Sequence, residues 1–188
     1  LIPIKANALI EVDITRGNLN PLPLAVSPLS IDEESRKGFE KILKKENIGS
    51  EISNIVENNL RTSGLFNPLD KKAFLQAPDI ANLKPRFEDW NLIKAQALIT
   101  GKVNYVDDKL RVEFRLWDVL AAKEMMALAF TTVPNNWRRV GHIISDKVYE
   151  RLTGEKGYFD TRIIYVSEEG PKTQRVKKLA IMDQDGAN

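Results

Sequence analysis

The most constraining feature of this sequence is a run of strict alternation between apolar and polar residues near its centre. Four apolar residues occupy every second position of that run: Leu110, Val112, Phe114 and Leu116. Because successive side chains of a strand point to opposite faces, this spacing predicts a strand over 109–118 with one buried face. A turn at Asp107-Asp108 joins it to an apolar strand over 97–105, so the sequence predicts a β-hairpin.

Patterns on both sides of this hairpin predict an α/β domain over 9–158, with a mixed sheet packed with helices. The predicted elements are strands over 9–14, 22–26 and 125–132, and helices over 32–45, between Ser50 and Gly64, and over 137–152. Asp32 and Ser50 are the residue types that cap helix N-termini, and Gly64 suits the position after a helix end. Pro23 lacks a backbone N–H, which predicts that the strand over 22–26 begins at a sheet edge.

The segment 153–160 is the predicted domain boundary. It contains two glycines, follows the end of a helical pattern and precedes a stretch with strand patterns only. Strands over 162–166 and 176–182 follow, joined by a turn at Gly170-Pro171. Because an isolated two-stranded hairpin is marginally stable in water, we expect residues 159–188 to be an incomplete second domain of a longer protein.

Residues 1–8 have features of a signal-peptide remnant. Ala6-Asn7-Ala8 follows the small-x-small pattern that precedes a signal-peptidase site, and most residues before it are apolar. A cloning remnant and an ordinary terminus are the alternatives. No run of about 18 apolar residues occurs, so the sequence predicts no insertion into a membrane.

Composition excludes several classes of chemistry. The 188 residues include no cysteine and a single histidine, His142, which excludes thiol catalysis, cysteine-bound zinc and any multi-histidine metal site within one chain. From the sequence we name no metal ligand and no cofactor. The 28 basic and 26 acidic residues leave a formal charge of +2, which gives little long-range attraction for a polyanion.

His142 and Asp146 are the candidate catalytic pair, because residues four apart are neighbours on a helix. In a hydrolase they could act as a general base and its orienting carboxylate. No nucleophile motif accompanies them, so a surface ion pair, or a histidine packed at the domain boundary, is the favoured interpretation.

Nucleic-acid binding is the other alternative function. Its candidate contacts are Lys37, Lys41, Lys44, Lys45, Lys71, Lys72, Arg138 and Arg139. Acidic residues are interleaved with them, whereas a phosphate-binding face usually excludes acids. A solvated surface of mixed charge is therefore favoured, and we expect no nucleic-acid partner.

Four stretches of the sequence resemble the TolB family, the periplasmic component of the Tol–Pal system of Gram-negative bacteria. They are LRTSGLFNPLD at 60–70, NWRR at 136–139 with His142 and Ser145-Asp146, LTGEKGYFDTRI at 152–163, and LAIMDQDGAN at 179–188. The resemblance implies an N-terminal α/β domain followed by a six-bladed β-propeller, so that 159–188 would be the first two strands of a truncated propeller. The segment 32–49 departs from the family pattern, and its role stays open.

The resemblance implies a non-enzymatic adaptor in the periplasm. Such a protein links inner-membrane TolA to outer-membrane Pal, which supports outer-membrane integrity and constriction at cell division. Pal would bind mainly through the propeller, whereas TolA would bind an N-terminal segment composed of Leu9, Ile10, Glu11, Val12, Asp13, Ile14, Thr15, Arg16 and Gly17. The alternation of this segment suits addition as a strand to an exposed sheet edge. An ordinary edge strand of the domain's own sheet is the alternative for 9–14.

The similarity of 152–163 to the family's junction sequence places the contact between the two domains near the long helix. We expect this interdomain junction to comprise Trp137, Arg138, His142, Tyr158, Phe159 and Arg162.

Overall fold

The computed structural model describes residues 20–187, which form a six-stranded sheet, a separate two-stranded sheet and five α-helices. The predictions for residues 1–8 and for the segment 9–17 lie outside the described residues. The strands of the larger sheet are β1 (Leu22–Val26), β2 (Ser30–Ile31), β3 (Phe66–Pro68), β4 (Ala97–Val106), β5 (Lys109–Asp118) and β6 (Lys123–Thr132). The helices are α1 (Glu33–Leu43), α2 (Ile48–Thr62), α3 (Pro78–Leu83), α4 (Phe87–Leu92) and α5 (Trp137–Thr153).

The larger sheet is mixed, with strand order β3-β1-β4-β5-β6 and the short β2 paired to β4. β1 runs parallel to β3 and β4, whereas β4, β5 and β6 form an antiparallel meander. The predicted hairpin is confirmed, because all four alternating apolar side chains of β5 are buried. Asp107 and Asp108 adopt φ values of 51° and 58°, the left-handed conformation that a type I′ turn requires.

The prediction that Pro23 places the start of β1 at a sheet edge is wrong, because β1 lies between β3 and β4. The Pro23 carbonyl accepts the backbone N–H of Gln96 at 2.9 Å, one residue before β4 begins at Ala97. The N–H that proline lacks therefore falls outside the β1–β4 ladder, and an interior strand can start with this residue at little cost.

The predicted ends of three helices are confirmed. The Asp32 carboxylate caps α1 by accepting the backbone N–H of Ser35 at 2.7 Å. Gly64 follows α2 with a φ of 75°, and Gly154 follows α5 with a φ of 76°. In both places glycine adopts at little cost the left-handed conformation that ends a helix.

The prediction that Ser50 caps α2 is wrong, because the helix begins two residues earlier, at Ile48. Ile48 is fully buried, so tertiary packing includes it in the first turn. A Cβ atom at Gly49 would lie 2.2 Å from the carbonyl oxygen of Leu29, and only glycine permits so close an approach. The start of α2 is therefore set by contacts with a distant segment.

Helices cover both faces of the sheet. The larger core cluster lies between the sheet and the α2–α5 pair, and a smaller cluster around Trp90 of α4 lies on the opposite face. Along β1, Leu24 and Val26 belong to the larger cluster, whereas Ala25 between them belongs to the smaller one. The central strands are therefore buried on both faces, and α2 packs directly against α5.

The last two strands, β7 (Arg162–Glu169) and β8 (Val176–Asp183), pair with each other in a separate antiparallel sheet. Several of their apolar side chains are exposed, including Ile164, Val166 and Leu179. The predicted fold class, a mixed sheet packed with helices and followed by two strands, is confirmed. The division into domains at 9–158 and 159–188, and the assignment of the hairpin to a propeller, stay predictions. Over residues 20–187, no helix has the length and apolar character to cross a membrane.

Candidate functional site

The candidate site lies where α2 and α5 meet the turn after β8. Six polar side chains converge there, and we call them the junction cluster: Asn59, Arg138, His142, Asp183, Gln184 and Asp185. α5 supplies Arg138 and His142, which are four residues apart and therefore share one helix face. A Cβ atom at Gly141 would lie 2.9 Å from Cγ2 of Ile55, so this glycine allows α2 to approach α5 closely.

A closed turn positions the acidic members of the junction cluster. The backbone N–H of Gly186 donates to the carbonyl of Asp183 at 2.9 Å, and the Asp183 N–H donates to the carbonyl of Ala187 at 2.8 Å. Gly186 has a φ of 82°, which a side chain at this position would disfavour. The turn thereby holds Asp183 and Asp185 at the end of β8, beside α5.

The Asn59 amide connects the three elements of the site. Its Nδ2 lies 2.9 Å from Nδ1 of His142 and donates to Oγ of Ser145 at 2.9 Å. Its Oδ1 accepts a hydrogen bond from Nε2 of Gln184, also at 2.9 Å. One buried amide therefore joins α2 to α5 and to the turn after β8. Since an amide N–H faces Nδ1 of His142, this nitrogen accepts, and the neutral imidazole carries its proton on Nε2.

The His142 imidazole is almost completely buried, with 3% of its side chain exposed. Its Nε2 lies 3.9 Å from Oδ2 of Asp183 and 3.8 Å from Oδ2 of Asp185, too far for a hydrogen bond. Burial lowers the pKa of His142, and Arg138 adds to this, whereas Asp185 and Asp183 raise it; the net pKa lies below the ordinary value. His142 is therefore neutral at pH 7.

Arg138 forms ion pairs with both Asp183 and Asp185. Its Nη2 lies 2.5 Å from Oδ2 of Asp185, and its Nε lies 3.5 Å from Oδ2 of Asp183. Burial raises the pKa of Asp185, but the backbone N–H of Ala187 and the Arg138 guanidinium outweigh burial, so the net pKa is lowered. The Asp185 carboxylate is thus ionised at neutral pH, next to a neutral imidazole.

A cavity of about 250 Å³ adjoins the junction cluster. Its lining includes Arg138, Arg139, Arg162, Asp160 and Asp183. Arg139 and Asp160 form a two-pronged ion pair across it, with Nε and Nη2 of the guanidinium each 3.1 Å from a carboxylate oxygen. The cavity is therefore polar, and it gives the charged side chains around it room to move.

The predicted His142–Asp146 pair does not form. The two carboxylate oxygens of Asp146 accept the backbone N–H groups of Phe159 and Asp160, at 2.6 and 3.1 Å. Asp146 thus fixes the chain that leaves α5, while His142 is oriented by Asn59. The arrangement that general-base catalysis would need is therefore not assembled.

The six residues predicted for the interdomain junction fall into two groups. Arg138, His142 and Arg162 lie around Asp183, although Arg162 reaches it only at 3.9 Å and has 64% of its side chain exposed. The other three residues serve packing: Trp137 and Phe159 are buried in the larger core cluster, and the half-exposed Tyr158 stacks at a tilt on Phe159. Of the six residues of the junction cluster, the predicted interdomain junction includes Arg138 and His142, and its role as an interdomain contact stays a prediction.

The basic residues predicted as nucleic-acid contacts are largely paired with acids. These pairs are Lys37 with Glu33, Lys45 with Glu51, Lys71 with Glu57, Arg138 with Asp183 and Asp185, and Arg139 with Asp160. A surface that alternates in charge over a few ångströms repels a phosphate backbone about as much as it attracts one.

Sequence reasoning missed Asn59 and the side chains of the β8 turn as members of the site. Asn59 follows Ile52, Ile55 and Val56 on the buried face of α2. A polar residue in phase with an apolar stripe needs a hydrogen-bond partner when it is buried, so it signals a polar contact across that face.

Comparisons with known proteins identify relatives of the chain. The profile of a family described as the TolB amino-terminal domain matches residues 10–125. Over all 188 residues the chain is 85% identical to the Tol-Pal system protein TolB of Pelagibacter ubique (strain HTCC1062), of which it covers 42%. The crystal structure of TolB from Acinetobacter baumannii matches 96% of the chain with a TM-score of 0.72 at 23% identity, and the chain covers 40% of it. The chain thus spans less than half the length of these relatives and shares the fold of the solved one.

Proposed function

The chain belongs to the TolB family, and we propose that it acts in the Tol–Pal system of the cell envelope. The observation that carries this proposal is the 85% identity to a Tol-Pal system protein over every residue of the chain. At this level of identity the surface is conserved together with the core, and surfaces are what an adaptor protein uses.

We further propose that it is a periplasmic adaptor that links TolA to Pal, in support of outer-membrane integrity and constriction during division. TolA would bind the segment 9–17, whose alternation of apolar and polar residues suits strand addition. Pal would bind mainly to a β-propeller in the longer protein. In that arrangement β7 and β8 would be the first strands of the propeller, and the rest of it would cover their exposed apolar side chains.

A non-enzymatic role fits the contacts of the groups that could carry chemistry. The single histidine is buried against Asn59, and Asp146 holds backbone N–H groups. We propose that the junction cluster has a mechanical role instead, in which Asn59, Arg138 and His142 hold the turn after β8 against the α/β domain. Such a connection would transmit a change in the propeller to the domain that precedes it.

The test is the affinity of the full-length protein for TolA before and after deletion of residues 9–17, measured by isothermal titration calorimetry. We expect the deletion to abolish TolA binding and to leave Pal binding and the melting temperature unchanged. Retained TolA binding in the folded deletion variant would refute the assignment of this segment.

Paired substitutions in the segment refine the test. Serine at Ile10, Val12 and Ile14 should weaken TolA binding, because these side chains share one face of an added strand. Serine at Glu11 and Asp13 is the control and should have a smaller effect. Equal effects of the two variants would contradict a strand that binds TolA through the face carrying Ile10, Val12 and Ile14.

A further inference from the structure

The Nε2 atom of His142 is a polar group of the junction cluster that the hydrogen bonds described above leave unexplained. It is buried, and within residues 20–187 it has no hydrogen-bond partner. Buried polar atoms of this kind are uncommon, because the cost of desolvation is not recovered. The atom faces Oδ2 of Asp183 and Oδ2 of Asp185, and the three atoms lie within 4.8 Å of one another.

We propose that His142, Asp183 and Asp185 form a binding site for a single Zn²⁺ ion. One imidazole nitrogen and two carboxylate oxygens are a three-ligand set that zinc accepts, with water in the fourth position. Bonds of about 2.1 Å to a tetrahedral ion place its ligand atoms roughly 3.4 Å apart. The observed separations of 3.8 and 3.9 Å from Nε2 to the carboxylates are within a few tenths of an ångström of that spacing.

Ligand chemistry selects among divalent cations. The two carboxylates carry the charge that balances the ion, and the imidazole nitrogen favours zinc over Ca²⁺ and Mg²⁺, which prefer oxygen ligands. The polar cavity of about 250 Å³ beside His142 gives room for the water ligand.

Binding requires a change in the imidazole tautomer. Nδ1 of His142 accepts from the Asn59 amide, which leaves the ring proton on Nε2. Zinc would take the place of that proton, so the proton must move to Nδ1, and the Asn59 amide must turn so that Oδ1 accepts from it. The Gln184 amide turns with it and keeps their mutual hydrogen bond. These are side-chain rotations only, and they leave α2, α5 and the β8 turn in place.

Arg138 would compete with the zinc ion for the carboxylates of Asp183 and Asp185. Its guanidinium now occupies the space beside both carboxylates, with Nη2 2.5 Å from Oδ2 of Asp185. Its side chain is 23% exposed and borders the cavity, so it has a route toward solvent. Removal of the positive charge should therefore tighten zinc binding, which is the opposite of what loss of a structural residue would do.

The experiment is a ZnCl₂ titration of the untagged 188-residue chain. Because His142 is the only histidine, the ¹⁵N signals of a single imidazole report on the site. We expect saturable binding of one ion per chain, with the ring proton moving from Nε2 to Nδ1. Calorimetry with Ca²⁺ should show no such site. Zinc binding without a change in the imidazole signals, or no saturable binding, would overturn the proposal.

Variants identify the ligands. Asp183→Asn and Asp185→Asn should each weaken binding about tenfold or more, and Arg138→Gln should strengthen it. Asp160→Asn is the matched control, since Asp160 lines the same cavity but pairs with Arg139, and it should bind zinc as the parent does. Circular dichroism and melting temperature establish that each variant is folded. Equal binding by Asp185→Asn and Asp160→Asn in folded protein would refute the ligand assignment.

Discussion

Replacing Asn59 by leucine removes the polar centre of the junction cluster with little change in side-chain size. The variant loses the Asn59 contacts to His142, Ser145 and Gln184, each 2.9 Å long. At about 1 kcal/mol net for each, these contribute roughly 3 kcal/mol to the free energy of unfolding. The buried Nδ1 of His142 is also left without a partner, a cost that the burial of the apolar leucine atoms offsets. We therefore expect Asn59→Leu to destabilise the chain by about 3 kcal/mol.

Urea unfolding, monitored by circular dichroism, measures this loss. For a chain of this size we also expect the melting temperature to fall by roughly 6–12 °C. The matched control is Asn58→Leu, one residue earlier on the exposed face of α2, where the Asn58 Oδ1 atom accepts a hydrogen bond from Arg61 at 3.1 Å. Its effect should stay within about 0.5 kcal/mol. If both variants were equally stable, the claim that Asn59 holds three elements together would be wrong.

Two further changes test the surroundings of the site. Gly157→Ala would place a Cβ atom 2.4 Å from Cα of Asp146, a backbone atom that cannot easily move. We therefore expect urea unfolding to show that the free energy of unfolding falls by about 1–3 kcal/mol. A free energy of unfolding equal to that of the parent would contradict this close approach. Burial raises the pKa of Glu57, but hydrogen bonds from Lys71 and Arg61 outweigh it and the net pKa is lowered from 4.5. The stability that this carboxylate contributes is therefore present above pH 4.5 and is lost as the pH falls through the lower folded-state pKa. Glu57→Gln should therefore reduce the loss of stability at acidic pH. An unchanged dependence of stability on pH would contradict this role of Glu57.

The sequence predicts correctly those parts of the fold that depend on interactions between residues close together in the chain. The alternation of β5 and the Asp107-Asp108 turn identified the central hairpin, because strand periodicity and turn type depend on residues that are adjacent in the sequence. Asp32 was identified as a helix cap for the same reason: its carboxylate bonds to the backbone three residues on.

The wrong predictions have causes distant in sequence. Pro23 lies in an interior strand because its missing N–H faces the region just before β4, far along the chain. α2 begins at Ile48 because that residue is buried and Gly49 contacts Leu29. Neither contact can be inferred from the residues next to these positions.

In the candidate site, too, the placement of neighbours on one helix face was predictable and contacts between distant segments were not. The four-residue spacing on α5 puts His142 and Arg138 on one helix face, but it cannot say which groups face the imidazole from other elements. Asn59 arrives from α2 and the two aspartates from the turn after β8, so the site depends on tertiary structure. Spacing alone makes Asp146 a candidate partner of His142, but its carboxylate instead accepts the backbone N–H groups that follow the helix.

The most direct test of the adaptor proposal is whether the full-length protein holds TolA and Pal in one complex. Size-exclusion chromatography with light scattering, on an equimolar mixture of the three purified proteins, measures the mass of that complex. The account predicts a single species with the summed mass of all three, which separates into a Pal complex and free TolA when residues 9–17 are deleted. Three separate peaks from the intact proteins would contradict it.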